Sequence, residues 1–224
     1  MAEGAFNPFR VVGDLSHLVS FVFLMLSIHK SYDASVISSR TQQLLLCVFL
    51  CRYMDVYRTF WDAPYLVFMK IMFIMSTFVI VIQLRKKRRH ISEDFDLVPR
   101  LALLVPCMIS AAIYQHHVPP HTIQELLWTF SILLESVALI PQLYLLHKET
   151  FVYAYMAHYL ALLVLYRFMY CVNWVVRWTY FNHSTPLLVC LAGIVQNILL
   201  VDFVYYYLLS RKKNGLNADL SLPS

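Results

Sequence analysis

This sequence predicts an all-α protein embedded in a membrane, and three of its features carry that prediction. Of its 224 residues, 60% are hydrophobic and only 14% charged, with a mean hydropathy of +0.61. A soluble domain of this length needs a largely polar exterior and cannot hide that much apolar surface. The apolar residues also gather in long runs joined by short polar connections. Finally, only 4 glycines occur and β-branched residues do not alternate with polar ones, which argues against a β-barrel. Helices satisfy their own backbone within lipid, so a helical bundle follows.

Seven apolar stretches can be marked, each near the ~20 residues that cross a bilayer. They cover 11–28, 36–57, 65–84, 97–114, 123–146, 151–180 and 187–209, the fourth being the shortest. The N-terminal segment lacks a basic region, and no small-residue cleavage pattern follows the first run. The first stretch therefore reads as an uncleaved targeting signal rather than a removable one. A seven-span domain over 1–210 and a polar tail over 211–224 is the expected organisation.

Basic residues set the orientation. Lys30 and Arg40 flank the first loop, Arg85, Lys86, Lys87, Arg88 and Arg89 follow the third stretch, Lys148 follows the fifth, and Arg211, Lys212 and Lys213 follow the seventh. The alternate loops are poor in them: Arg58 lies near the second stretch, and 116–122 and 181–186 have none. The charges thus fall at every second loop, which places the N-terminus in a lumen and the C-terminus in the cytosol. The net charge of +5 is mostly this cytosolic cluster, a topology determinant facing acidic headgroups rather than a nucleic-acid patch. Cys47, Cys51, Cys107, Cys171 and Cys190 all lie within the stretches without a C-x-x-C, so neither a disulfide framework nor a zinc site is indicated.

A short internal echo links Arg52-Tyr53-Met54 in the second stretch to Arg167-Phe168-Met169 in the sixth. Three helices, a linker helix and three more would put these segments in corresponding places. An odd linker makes the halves parallel, as in the sugar-transporter arrangement.

Ionisable groups at membrane depth are costly, and each is a site candidate with an expected partner. Asp14 and His17 share one helix face, as do Arg52 and Asp55. Glu125, Trp128 and Glu135 follow one stripe of the fifth stretch. Tyr166, Tyr170, Asn173 and Arg177 make a continuous polar stripe down the sixth, and Lys70 and Asp202 add one group each to the third and seventh. Such stripes avoid lipid, so they line an interior cavity, with Arg52 and Arg177 opposite Glu125 and Glu135 and beside Trp128, Tyr166, Tyr170 and Trp174. Guanidinium forks suit carboxylates, and aromatic faces with carboxylates suit a cation. A small zwitterionic or acidic peptide-like ligand is therefore expected.

Blander readings stand beside these. Arg52 with Asp55 also reads as a self-neutralising pair, Lys70 and Asp202 as structural groups, and Arg167, one position off the stripe, as a packing residue. His17 reads either as a hydrogen-bonded core histidine or as a switch in the mildly acidic range. His116, His117 and His121 in a proline-containing loop read as solvated, because no carboxylate or cysteine stands at ligand spacing. No nucleophile elbow, zinc-protease helix or phosphate-binding glycine loop is present, so enzymatic activity, a cofactor and a metal are not expected.

Longer segments carry a resemblance. Phe9-Arg10, then Gly13-Asp14-Leu15-Ser16-His17-Leu18, Arg52-Tyr53-Met54-Asp55, and Leu127-Trp128-Thr129-Phe130-Ser131-Ile132 running through Leu134-Glu135-Ser136-Val137-Ala138 to Pro141-Gln142 resemble the KDEL receptors. So do His158-Tyr159-Leu160, Leu165-Tyr166-Arg167, Asn173-Trp174 with Arg177, Ala192-Gly193-Ile194-Val195-Gln196, Asp202-Phe203 and Leu220-Ser221-Leu222-Pro223. The resemblance spans essentially the whole chain. It implies a seven-helix fold similar to the sugar-transporter and PQ-loop proteins. It also implies a receptor for soluble proteins ending in K-D-E-L or H-D-E-L, bound in the mildly acidic Golgi, carried back in COPI-coated vesicles and released in the endoplasmic reticulum. By the same resemblance Arg10, Arg52 and Arg177 take ligand carboxylates, and Asp55, Glu125 and Trp128 surround the basic residue four from the ligand's end. Tyr170, Asn173 and Trp174 shape the wall, His17 senses protons through Glu135 and Tyr166, and Lys212 and Lys213 belong to the cytosolic sorting tail.

The chain departs from the family pattern in a longer N-terminus, a 149–154 loop that lacks the usual glycine- and glutamate-containing stretch, a 181–186 loop without acidic residues, and a lysine-poor tail. Two rivals fit the span count. A transporter on this fold needs hinge residues in matching spans, and Pro141 has no clear counterpart in the first. A seven-helix signalling receptor needs an acidic-Arg-Tyr signature in its third span, which is missing.

Overall fold

The computed structural model describes residues 7–30, 37–56, 64–88, 98–119, 121–148, 151–181, 186–214 and 220–221. Arg58, Arg89, residues 149–150, the 182–185 loop and most of the tail lie outside them. The described elements are α1 (Pro8–Lys30), α2 (Ser39–Arg52), α3 (Pro64–Arg88), α4 (Arg100–His117), α5 (Ile123–Val137), α6 (Ile140–Lys148), β1 (Phe151–Val152), α7 (Ala154–Phe181), α8 (Leu187–Asn214) and β2 (Leu220–Ser221). The protein is all-α apart from β1 and β2, two short strands paired antiparallel with Phe151 opposite Ser221 and Val152 opposite Leu220. These strands were not legible in the sequence, which placed 151–153 at the start of a span.

Among the described residues, four helical segments are long and apolar enough to cross a membrane: Pro8–Lys30, Pro64–Lys87, Ile123–Lys148 and Ala154–Tyr180. A fifth is counted if Leu187–Val201 and Phe203–Leu209, which meet at 48°, are one span. Within the described residues α2 is only 14 residues long, and α4 begins at Arg100 and ends on Gln115-His116-His117.

The stretch expected as one fifth helix is two. Pro141 has no amide hydrogen to return to Val137, so α5 stops there and α6 restarts beyond Ala138 and Leu139. The break is stitched to α2. The Gln142 amide donates to Thr41 Oγ1 at 3.1 Å, and Gln142 Oε1 accepts from the Ser38 amide at 2.8 Å. Ser38 is itself the N-cap of α2, its Oγ accepting from the Thr41 amide at 3.1 Å. Gln42 then donates to the Tyr159 hydroxyl of α7 at 3.0 Å. All five side chains are buried.

Packing pairs the helices as α1 with α7 (the most extensive contact), α2 with α5, α4 with α5, α2 with α3, α7 with α8, α5 with α8, and α1 with α3. The core runs between them through Phe21, Leu24, Phe49, Phe73, Leu134, Tyr159 and Leu160. Leu101, Val105, Ile109 and Ile113 of α4 and Trp178 and Tyr180 of α7 face outward, as lipid-facing residues do.

Two glycines permit close approaches. A Cβ on Gly13 of α1 would lie 2.9 Å from the Tyr170 ring, and one on Gly193 of α8 would lie 2.5 Å from the Trp174 ring. Each aromatic ring of α7 thus lies against a neighbouring helix where only hydrogen fits. Gly193→Ala is expected to lower stability by about 1–3 kcal/mol through overpacking, read as a lower thermal unfolding midpoint in detergent.

Candidate functional site

Glu135, 4% exposed, is the centre of the polar interior. Arg52 of α2 and Arg167 of α7 both form ion pairs with it, Arg52 through Nη1 to Oε2 and Arg167 through Nη2 to Oε1. Tyr166 donates its hydroxyl to Oε1 at 3.3 Å. Arg52 Nε is further held by Ser131 Oγ at 3.2 Å, and that hydroxyl donates to the Trp128 carbonyl at 2.6 Å. Two guanidiniums against one carboxylate leave one positive charge in surplus. Arg52 Nη2, Arg167 Nε and Gln196 Oε1 are buried and have no hydrogen-bond partner among the described residues. Unpaired polar atoms of this kind are rare in folded proteins and call for an explanation.

Two hollows meet at this centre. The smaller, about 160 Å³, is lined by Arg52, Trp128, Glu135, Tyr166, Arg167, Tyr170 and Trp174, and closed by Gly193 and Gln196 of α8. The larger, about 440 Å³, is lined by Arg52, Asp55, Glu125 and Trp128, with Tyr114, Gln115, Val118, Pro119 and Pro186 at its rim. Arg52 and Trp128 belong to both.

His17, 2% exposed, lies behind the smaller hollow. Its ring stacks on Tyr166 at 4.2 Å and touches Phe21 at 4.7 Å and Phe73 at 4.8 Å, with Phe49 at 5.7 Å. Nδ1 has no partner among the described residues. The sequence grouped His17 with Glu135 and Tyr166, and the three are in series: His17 on the face of Tyr166, and the hydroxyl of Tyr166 on Glu135. One helical turn nearer the N-terminus, Asp14 accepts from Tyr170 at 2.5 Å and from Tyr65 at 3.1 Å, with Arg10 Nε 4.0 Å from its carboxylate.

The remaining expected residues divide. Glu125 caps nothing with its side chain, and its amide donates to Thr122 Oγ1 at 3.2 Å, which starts α5. Asp55 does not neutralise Arg52: its carboxylate takes Lys70 Nζ at 2.8 and 2.9 Å, while Arg52 turns to Glu135. Asn173 is 3% exposed, its Oδ1 without a described partner. Arg10, Asn173 and Arg177 line neither of the two hollows. Lys212 and Lys213 lie in the last turn of α8, with the Lys212 side chain exposed. Sequence reasoning weighed Arg167 as a packing residue, yet it is the second clamp on Glu135. Its signal was its charge at membrane depth, obscured by its position beside the aromatic stripe rather than on it.

Removing the central carboxylate should expose the cost of two buried guanidiniums. Glu135→Ala is expected to destabilise the protein by roughly 3–5 kcal/mol, and Glu135→Gln by less because it keeps the side-chain volume and one accepting oxygen. Thermal unfolding of the purified variants checks the order.

Comparison with known proteins adds the family. Residues 33–177 match the family model described as ER lumen protein retaining receptor. The chain is 38% identical over 221 residues to ER lumen protein-retaining receptor A of Arabidopsis thaliana, covering 97% of this chain and 100% of that one. It is 40% identical over 202 residues to the receptor erd-2.2 of Caenorhabditis elegans, covering 90% and 92%. It is 37% identical over 206 residues to the Saccharomyces cerevisiae receptor, covering 90% and 93%. With a matched model over more than half its length and relatives of this similarity end to end, the chain belongs to the ER lumen protein-retaining receptors, a family of receptors and not of enzymes.

Proposed function

We propose that this protein captures soluble proteins ending in K-D-E-L or H-D-E-L in the mildly acidic Golgi and returns them to the endoplasmic reticulum. One observation carries the reading. A half-buried arginine, Arg52, joins two hollows with its buried Nη2 lacking a partner among the described residues, in surroundings that already hold one positive charge too many. A ligand carboxylate meets both needs, and a guanidinium recognises it through directed hydrogen bonds. Trp128 stands beside Arg52, while Glu125 and Asp55 line the larger hollow and suit the basic residue four from the ligand's end. Arg10, Arg177 and Asn173, outside the two hollows, join the ligand only if the helices draw in around it.

The direction of the pH response follows from charge. A proton on His17 adds a second surplus positive charge beside Tyr166, and a bound carboxylate offsets it. The protonated form therefore binds ligand more tightly, and by reciprocity binding takes up a proton. Rising pH removes that charge and releases the ligand. Tyr166 and Glu135 transmit the change, because the ring that touches His17 also holds the carboxylate that orients Arg52.

Seven spans in two parallel repeats fit the packing. Exchanging α1 with α5/α6, α2 with α7 and α3 with α8 turns the pair α1–α7 into α5–α2, α2–α3 into α7–α8, and α1–α3 into α5–α8, and all of these pairs are in contact. The exchange also relates Arg52 to Arg167. The basic loops put the N-terminus in the lumen and the tail with Lys212 and Lys213 in the cytosol, where a COPI coat would read it.

Labelled peptide ending in H-D-E-L should bind the purified protein tightly at about pH 5.5 and weakly at about pH 7.4, the range in which histidine changes charge. Amidating the peptide C-terminus should abolish binding at both. For a peptide with no acidic residue before H-D-E-L, His17→Ala should remove the pH dependence, and acid-enhanced binding of that peptide by the variant would sink the proposed switch. No binding by the unaltered protein at either pH would sink the receptor reading.

A further inference from the structure

His116, His117 and His121 stand at the junction of α4 and α5, and the site described above uses none of them. His116 and His121 line a third hollow of about 500 Å³ together with Ala112, Gln115, Thr122, Ile123 and Leu126, and His117 follows His116 in the same helical turn. Gln115 also lines the larger ligand hollow. Val118 and Pro119 line the ligand hollow and His121 and Thr122 the third one, so the two adjoin at Gln115.

This junction is built rather than loose. Gln115 donates from Nε2 to the Val118 carbonyl at 3.0 Å, and Thr129 Oγ1 lies 3.5 Å from its Oε1. His121 Nδ1 lies 2.7 Å from the Gln115 carbonyl. A carbonyl only accepts, so Nδ1 carries a hydrogen and Nε2 is the nitrogen that takes up a proton. His116 and His117 occupy the last turn of α4, their rings edge to face at 5.0 Å, where the helix dipole favours cations.

The charges that face them are few. α5 is the element packed most extensively on α4, and its ionisable groups are Glu125, turned to the ligand hollow, and Glu135, already held by two arginines. Arg100 lies at the far end of α4. Among the described residues no group of three His, Cys, Asp or Glu side chains is arranged to hold a metal ion, so what the cluster offers a ligand is positive charge in acid.

We infer that His116, His117 and His121 form an acid-dependent extension of the ligand site, which takes Asp or Glu residues preceding the retrieval tetrapeptide. The inference rests on the receptor reading above and adds a specificity element to it. A ligand with its C-terminus at Arg52 and its basic residue near Glu125 leaves the larger hollow past Val118 and Pro119, over the junction that carries the histidines. Imidazole as a group gains positive charge on the acid side of neutrality, so carboxylates there are attracted more strongly in acid. Capture and release thus gain a second pH-dependent contribution, physically separate from His17.

Two octapeptides ending in H-D-E-L, one preceded by four glutamates and one by four alanines, test this on the purified full chain. At about pH 5.5 the glutamate peptide should bind about fivefold tighter or more, the size expected of a few exposed ion pairs, and at about pH 7.4 the advantage should vanish. His116→Gln with His117→Gln keeps the His121 contact to Gln115 and should lose most of the advantage. Adding His121→Gln should lose the rest. Unchanged binding of the alanine peptide by these variants verifies that the main site is intact. Equal affinity for the two peptides at acid pH, or an advantage that survives the triple substitution, overturns the inference. Failure of both peptides to bind the unaltered protein instead overturns the receptor reading and takes the extension with it.

Discussion

The carboxylate of Glu135, shared between Arg52 and Arg167, is the interaction on which the interior depends. Burying three charges in a membrane protein is costly unless each is paired and its remaining hydrogen-bonding positions are filled. Here a single acidic group on α5 holds guanidiniums from α2 and α7, tying together three helices that surround the hollows. The arrangement is asymmetric in charge, two positive against one negative. It therefore neutralises neither arginine completely and keeps both oriented. A fully compensated pair would give a stable core with nothing left for a ligand to complete.

The two ends of the bundle treat polar groups differently. Around the α5–α6 break, Ser38, Thr41, Gln42, Gln142 and Tyr159 are bonded to one another or to backbone, with Gln42 Oε1 the one atom of the set that lacks a partner among the described residues, and α2, α6 and α7 are fixed there. Around Glu135, by contrast, Arg52 Nη2, Arg167 Nε, Gln196 Oε1 and Asn173 Oδ1 have no partner among the described residues. The first end is nearly satisfied and the second much less so. Gly13 and Gly193 lie at the second end and let the Tyr170 and Trp174 rings sit directly on the neighbouring helices. The wall of the smaller hollow is thus set by packing.

Much of this was legible in the sequence. Hydropathy marked the helical stretches within a few residues, and the polar stripes held Glu135, Tyr166 and Tyr170, which line the smaller hollow, along with Asn173 and Arg177, which line neither. Pairing was harder to read. Spacing placed Asp55 beside Arg52 on one helix face, but local proximity does not decide a salt bridge when a partner arrives from another helix. Lys70 reaches Asp55 and Glu135 reaches Arg52. Arg167 was underrated for the same reason, since a stripe drawn on one helix cannot show what a neighbour presents beside it. The α5–α6 break was signalled by Pro141, yet hydropathy runs through it unchanged because both pieces are apolar. The β1–β2 pairing joins segments nearly 70 residues apart and has no local signature that distinguishes it from helix ends.

The geometry also constrains how a receptor of this kind closes. Arg52 already lines both hollows, whereas Arg10 and Arg177 line neither. Arg10 lies 4.0 Å from Asp14, whose carboxylate is bonded by Tyr170 and Tyr65, so α1, α3 and α7 meet at that group. A ligand with several carboxylates would bind first at the unsatisfied arginine and gain its remaining contacts only as α1 and the end of α7 move toward it. His17 lies on α1 within the same contact surface, stacked on the α7 residue that holds Glu135. In the proposed function, a proton there would act on the α1–α7 interface, the most extensive among the described elements, and on the orientation of Arg52 at once. On the proposed reading, ligand capture and proton uptake are coupled because they work on one helix contact, and no separate relay between distant sites is needed.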